Sequence, residues 1–136
     1  MEIRKINTEN APGAIGPYSQ GVVVGNMVYT SGQIPINPGT GEIYGNNIKD
    51  QTEQVMKNLG AVLSAADSGF DKAVKTTCFL ADMADFAEFN EVYAKYFTSN
   101  PARSCVAVKT LPKGVLVEVE VIALVENTVP YVQVKE

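Results

Sequence analysis

The chain contains no histidine and no tryptophan, and only two cysteines in 136 residues. Without histidine there can be no Ser-His-Asp triad and no Cys-His pair, and the usual acid-base group near neutral pH is missing. The cysteines, Cys78 and Cys105, both lie in apolar strand-like runs. They read as reduced, buried thiols rather than as a disulfide framework. No spacing of Cys, His or carboxylates suits a metal ion. No apolar run approaches the length of a membrane span. No basic segment followed by an apolar one opens the chain, so a cytoplasmic protein without a signal peptide is expected. An excess of positive charge is lacking too. Eleven Lys and Arg stand against 15 Asp and Glu, a net charge of −4. That opposes nucleic-acid binding, which needs a basic field to neutralise phosphate.

What is present is an apolar chain of single-domain size, 46% hydrophobic. One domain is expected over 1–126. Residues 127–136 read as a frayed C-terminal tail, because Pro130 opposes continuation of the last strand.

Periodicity and punctuation predict the element order β-β-α-β-α-β-β. Met1 to Gly21 reads as irregular or edge-like, broken by Pro12, Gly13, Gly16 and Pro17. Val22 to Val24 and Met27 to Ser31 read as two strands around a Gly25-Asn26 turn. Ile48 to Ala66 reads as a helix, with Ile48, Val55, Leu59, Val62 and Leu63 recurring near a 3.6 period. Gly60 in mid-helix costs about 1 kcal/mol against alanine, which predicts close approach of another element. Ala73 to Ala81 is a strand. Asp82 is a helix N-cap for Met83 to Phe97, whose Phe86, Phe89, Tyr93 and Phe97 form a core stripe. Asn90 beside that stripe needs a hydrogen-bond partner if buried. Arg103 to Thr110 and Val115 to Val125 are strands around a turn at Leu111 to Gly114.

The last strand has two unlike faces. Val115, Val117, Val119, Val121 and Ala123 face one way, and that face belongs against the helices. Leu116, Glu118, Glu120, Ile122 and Leu124 face the other. This second face is too apolar for solvent and too charged for a dry core. A subunit interface with a wet cleft fits both facts. With two helices on one side of the sheet, another copy of the chain is the simplest cover for the other side.

If the Leu111 to Gly114 turn closes a hairpin, Arg103 and Cys105 fall beside Glu118 and Glu120 on one sheet face. Arginine there offers a planar fork for a carboxylate or phosphate. The glutamate either neutralises it as a structural ion pair or positions and deprotonates a water. The second role requires a carboxyl pKa raised by burial or by a like charge. Glu120 is equally a partner for Lys75 or Lys109. Tyr18 and the Ser31-Gly32 pair belong to glycine-rich loops, where a hydroxyl or a closely approaching N–H can meet a ligand.

Four stretches together carry a resemblance: IGPYSQG at Ile15 to Gly21, SGQIP at Ser31 to Pro35, PARSCV at Pro101 to Val106, and LPKGVLVEVEVIAL at Leu111 to Leu124. The chain resembles the reactive intermediate (enamine/imine) deaminases over about residues 2 to 126. The resemblance implies an α+β fold similar to the bacterial chorismate mutase type, a mixed sheet with two helices on one face, assembled as a homotrimer with a ligand cleft at each subunit boundary. It implies hydrolysis of 2-imino acids such as 2-iminopropanoate and 2-iminobutanoate to 2-keto acids and ammonia, with no cofactor. By the same resemblance Arg103 binds the substrate carboxylate, the backbone of Cys105 lines the site, and Glu118 positions the hydrolytic water. Tyr18, Ser31, Gly32 and Asn90 resemble pocket residues, some contributed across the boundary. Three other classes compete. One is a non-catalytic trimer that senses a small carboxylate. The second is a ribonuclease, which the acidity and the missing histidine oppose. The third is a structural trimer whose charged patch is only an ion-pair network.

Overall fold

The computed structural model describes residues 2–126, so the tail expected at 127–136 lies outside the described residues. The elements are β1 (Ile3–Ile6), β2 (Gly21–Val24), β3 (Met27–Thr30), α1 (Ile48–Ala65), β4 (Ala73–Leu80), α2 (Phe86–Tyr96), β5 (Ala102–Ala107) and β6 (Val117–Leu124). Strand β1 was not expected. It is short and exposed along three of its four residues, and it forms by pairing antiparallel to β2, from Ile3↔Val24 to Ile6↔Gly21. An edge strand of this kind leaves little mark on the hydrophobic pattern.

The six strands form one mixed sheet ordered β1-β2-β3-β6-β4-β5. Strand β6 lies between β3 and β4 and is antiparallel to both. The units β3-α1-β4 and β4-α2-β5 are therefore crossovers between parallel strands, the first split by β6. The expected hairpin of β5 and β6 does not exist. The last strand has one wholly apolar, buried face and takes a central place, hydrogen-bonded on both sides. Strand β5 is mostly exposed and among the described residues pairs only with β4, in parallel, with Thr76↔Arg103 and Cys78↔Cys105. The chain reaches β6 through a turn at Pro112–Gly114 in which Lys113 adopts φ 57°.

The α+β class and the mixed sheet with two helices on one face hold. The expected likeness to the bacterial chorismate mutase type does not. The fold is defined instead by the six-stranded order above, with the C-terminal strand inserted between β3 and β4.

The core lies between the helices and one sheet face. Val117, Val119, Val121 and Ala123 are buried against Val55, Met56, Leu59, Val62 and Leu63 of α1 and Phe89 and Val92 of α2. Asn47 caps α1 by accepting from the Asp50 N–H at 2.9 Å. Asp82, the expected cap, accepts from the Ala84 N–H at 2.9 Å, but it starts a 3-10 turn, Met83–Asp85, that leads into α2. Gly60 behaves as expected: a Cβ there would stand 3.1 Å from the Phe70 ring, which packs edge-on to Phe97.

Candidate active site

Two clusters of polar side chains stand apart from the core. The first is built on β6 and the loop after β3. Strand β3 follows β6 in register from Met27↔Leu124 to Tyr29↔Ile122. Thr30 then accepts the Val121 N–H through its side chain at 3.0 Å, and pairing resumes one residue out of step at Gln33↔Val119. The slip is a bulge, and it holds Ser31 and Gly32 over β6. Ser31 is fixed from both ends: its N–H donates to the Gln20 carbonyl at 2.9 Å and its hydroxyl to the Ser19 carbonyl. Gly32 leaves room that the Glu118 carboxyl occupies. A Cβ there would lie 2.2 Å from Glu118 Oε2. The carboxyl of Glu118 thus lies across the bare backbone of Gly32.

Tyr18, Ser31, Gly32, Glu118 and Glu120 line one cleft of about 540 Å³, together with Ile34 and Pro112. Glu118 is half-buried, and among the described residues no hydrogen bond or ion pair holds its carboxyl. Burial, and then the negative charge of Glu120, push its pKa above the ordinary value. Neither expected lysine pairs with Glu120: Lys75 donates instead to the Ser104 hydroxyl at 3.3 Å.

The second cluster lies at the end of the sheet under α2. Arg103 Nη1 donates to Asn90 Oδ1 at 2.7 Å. The guanidinium carbon lies 4.8 Å from the Tyr93 ring centre and 5.4 Å from that of Phe86. Planar cation and aromatic faces attract in this arrangement. Tyr93 is itself anchored, its hydroxyl 2.7 Å from Thr76 Oγ1. Arg103, Asn90, Tyr93, Phe97, Asn100 and Pro101 line a cleft of about 310 Å³. Among the described residues no carboxylate lies within ion-pair distance of Arg103.

Cys105 is on the same strand, opposite Cys78. Burial raises both thiol pKa values, that of Cys78 to about 12, and Arg103 only partly opposes this. Both sulfurs are held as neutral thiols, unsuited to nucleophilic attack.

The structure therefore brings Tyr18, Ser31, Gly32 and Glu118 together, and separately Arg103, Asn90 and Cys105. It does not place the two groups on one face, as the hairpin had led us to expect. Arg103 and Cys105 pair with Thr76 and Cys78, which are buried on the helix side. Glu118 and Glu120 pair with Phe79 and Thr77, on the opposite side. An ion pair between Arg103 and either glutamate within one chain is thereby excluded.

Several positioning residues went unread in the sequence. Phe86 and Tyr93 looked like core packing but also carry the guanidinium. Gln51 and Asn58 are buried on α1. Asn58 donates to the Ile34 and Ile36 carbonyls at 3.1 and 2.9 Å. Gln51 donates to the Gly45 carbonyl and accepts from the Leu116 N–H. Both therefore tie the loops flanking Glu118 to the helix. The available signal was a run of amides at one helical spacing on an otherwise apolar face.

Comparison with known proteins agrees with this architecture. The family model described as Endoribonuclease L-PSP matches residues 8–125. A Lactococcus lactis protein with the provisional name regulator AldR is 56% identical over 123 residues, 90% of this chain and 98% of its own. The 2-iminobutanoate/2-iminopropanoate deaminase of Escherichia coli (strain K12) is 50% identical over 125 residues, covering 89% and 97% of the two chains. The Homo sapiens protein of that name is 47% identical over 122 residues, 89% of each. Among solved structures, Escherichia coli TdcF with bound serine superposes with a TM-score of 0.86 at 46% identity, covering 90% of this chain and 99% of TdcF. A match over most of the chain, in both sequence and fold, shows that the protein belongs to the Endoribonuclease L-PSP family, the RutC-type reactive intermediate deaminases.

Proposed function

We propose that the protein hydrolyses 2-imino acids such as 2-iminopropanoate and 2-iminobutanoate to 2-keto acids and ammonia, in a site completed by two copies of the chain within a homotrimer. One observation carries the reading. Glu118 and Arg103 are the two charged groups best placed for this chemistry, among the described residues neither has an ion-pair partner, and they lie on opposite faces of the sheet. A cleft between copies unites them: the Tyr18, Ser31, Gly32 and Glu118 half from one chain, the Arg103, Asn90 and Cys105 half from the next. The exposed apolar side chains of Tyr29, Val106 and Leu124 on the helix-free face suit burial in such an assembly. The deaminase names of the Escherichia coli and human relatives support the choice of substrate.

Arg103 grips the substrate carboxylate with the prongs that Asn90 leaves free. The protonated imine makes C2 electrophilic. Glu118, with its raised pKa, takes a proton from water as the oxygen bonds to C2, giving a carbinolamine. That proton passes to nitrogen, the C–N bond breaks as Glu118 takes the proton of the new hydroxyl, and ammonia leaves with the 2-keto acid behind. The Cys105 thiol takes no part.

The test is Glu118→Gln, which keeps shape and hydrogen-bonding reach. Calorimetric titration with 2-oxobutanoate should show binding retained through Arg103. Imine decay followed by semicarbazide trapping should fall by about 10²-fold toward background. A wild-type protein that binds 2-oxobutanoate but does not hydrolyse the imine would instead be a carboxylate sensor, the reading favoured by the regulator name of the Lactococcus lactis relative. The ribonuclease reading has the family description behind it and the net charge of −4 against it.

A further inference from the structure

A second cavity, of about 390 Å³, opens from the Glu118 cleft and shares Tyr18, Gly32, Ile34 and Pro112 with it. Its remaining wall comes from the loops at 12–18 and 34–41, including Pro12, Ile15, Ile36 and Pro38. The volume falls within the usual range for small-molecule sites and far exceeds a methyl or ethyl group. The lining is chemically simple. The Gln20 amide is turned away into the N-terminal loop, accepting from the Thr8 N–H and donating to the Thr8, Ala11 and Pro12 carbonyls. Gln33 adds one neutral amide, and among the described residues Lys113 is the single charged one in the lining and is exposed. Asn58 holds the Ile34 and Ile36 carbonyls, so the far wall is fixed to α1.

We propose that this cavity is the subsite for the imine's side chain, and that it selects 2-imino acids with branched or aromatic apolar side chains over those with methyl or ethyl. The inference rests on the deaminase reading and adds to it the substrate class. A substrate whose C2 meets the Glu118 water has its carboxylate committed to Arg103, and the side chain then has this cavity beside it. Tyr18 and Ile34 line both spaces and form the threshold between them. An acidic side chain would meet mainly prolines and isoleucines.

Oxidation of D-alanine, D-leucine or D-glutamate by a flavin oxidase releases the corresponding imino acid, and semicarbazide trapping follows its decay. Wild-type kcat/KM should be roughly tenfold higher for the leucine imine than for the alanine imine, the low end of what apolar pocket contacts supply per carbon. Gly13→Leu supplies the control. A Cβ at Gly13 meets no atom within 4 Å, so the new side chain can enter the cavity without backbone strain. It should abolish the preference for the leucine imine while the alanine imine, which stops short of the cavity, reacts as before. The subsite is overturned by a wild-type preference for 2-iminopropanoate, by a preference for the glutamate imine over the leucine one, or by an unchanged preference in folded Gly13→Leu. Failure of the wild type on every imine would overturn the deaminase reading and the subsite with it. Hydrolysis of 2-iminopropanoate alone would overturn only the subsite.

Discussion

Replacing Gly32 by alanine tests the position of Glu118 without touching its chemistry. The added Cβ would stand 2.2 Å from Oε2, 2.8 Å from Cδ and 3.0 Å from Cγ of Glu118. Contacts under 3.0 Å are not tolerated, so the carboxyl oxygen must retreat by at least 0.8 Å. The atom that gives way is the far end of a flexible side chain in an open cleft. Stability should therefore change by less than about 1 kcal/mol, as for most substitutions outside the core. Catalysis should not be spared. A displacement of about 1 Å in a group that aims a nucleophile costs about 10²-fold. We expect Gly32→Ala to fold with an unchanged melting temperature, to bind 2-oxobutanoate as the wild type does, and to lose about 10²-fold in kcat for 2-iminobutanoate. Thermal unfolding, calorimetric titration and semicarbazide-trapped imine decay give the three readings. Wild-type kcat in the folded variant would refute the reasoning, because the carboxyl would then work equally well from another place.

Arg103→Lys keeps the charge but loses the planar fork that Asn90, Phe86 and Tyr93 orient. One lost charged hydrogen bond predicts a tenfold to hundredfold fall in kcat/KM. Wild-type values would reduce Arg103 to a point charge. The pH dependence follows from Glu118, whose pKa is held above its ordinary 4.5 by burial and by Glu120. The active carboxylate accumulates only as pH rises through that raised value, so kcat/KM should climb across a limb lying above 4.5. Glu120→Gln should shift the limb downward, and a limb that stays in place would remove Glu120 as a cause. The same group's contribution to stability has the opposite sense: it is fully present below the ordinary value and is lost as pH rises through the raised one.

The legible parts of the sequence were those where local pattern and tertiary role agree. The 3.6 period of α1 and the alternation of β6 located both core faces. The odd position of Asn90 beside an aromatic stripe foretold a partner, which proved to be Arg103. The hairpin was misread because strand order is a long-range property. The short connection at Leu111 to Gly114 suggested neighbours, yet the burial of β6 on its helix face and its pairing along both edges outweighed loop economy, and β4 lies between. That single error put Arg103 and Glu118 on one face. The bulge over Gly32 was hidden for a similar reason: Thr30 substitutes a hydroxyl for a backbone acceptor, and no periodicity records this. The grip of Phe86 and Tyr93 on Arg103 was masked because a ring that packs in a core and a ring that carries a cation leave the same sequence signal.

The central claim, that one active site is assembled from two chains, is tested most directly by complementation. Arg103→Ala and Glu118→Gln are each expected to be nearly inactive alone. Co-expressed with different affinity tags and purified through both, they yield assemblies that contain both chains. In a cyclic trimer with two kinds of subunit, one boundary in three joins an intact Arg103 half to an intact Glu118 half. The mixed protein should therefore recover about a third of wild-type imine hydrolysis, far above either parent. Mixed assemblies of verified composition that stay as inactive as their parents would contradict the account, because Arg103 and Glu118 would not then meet across a boundary.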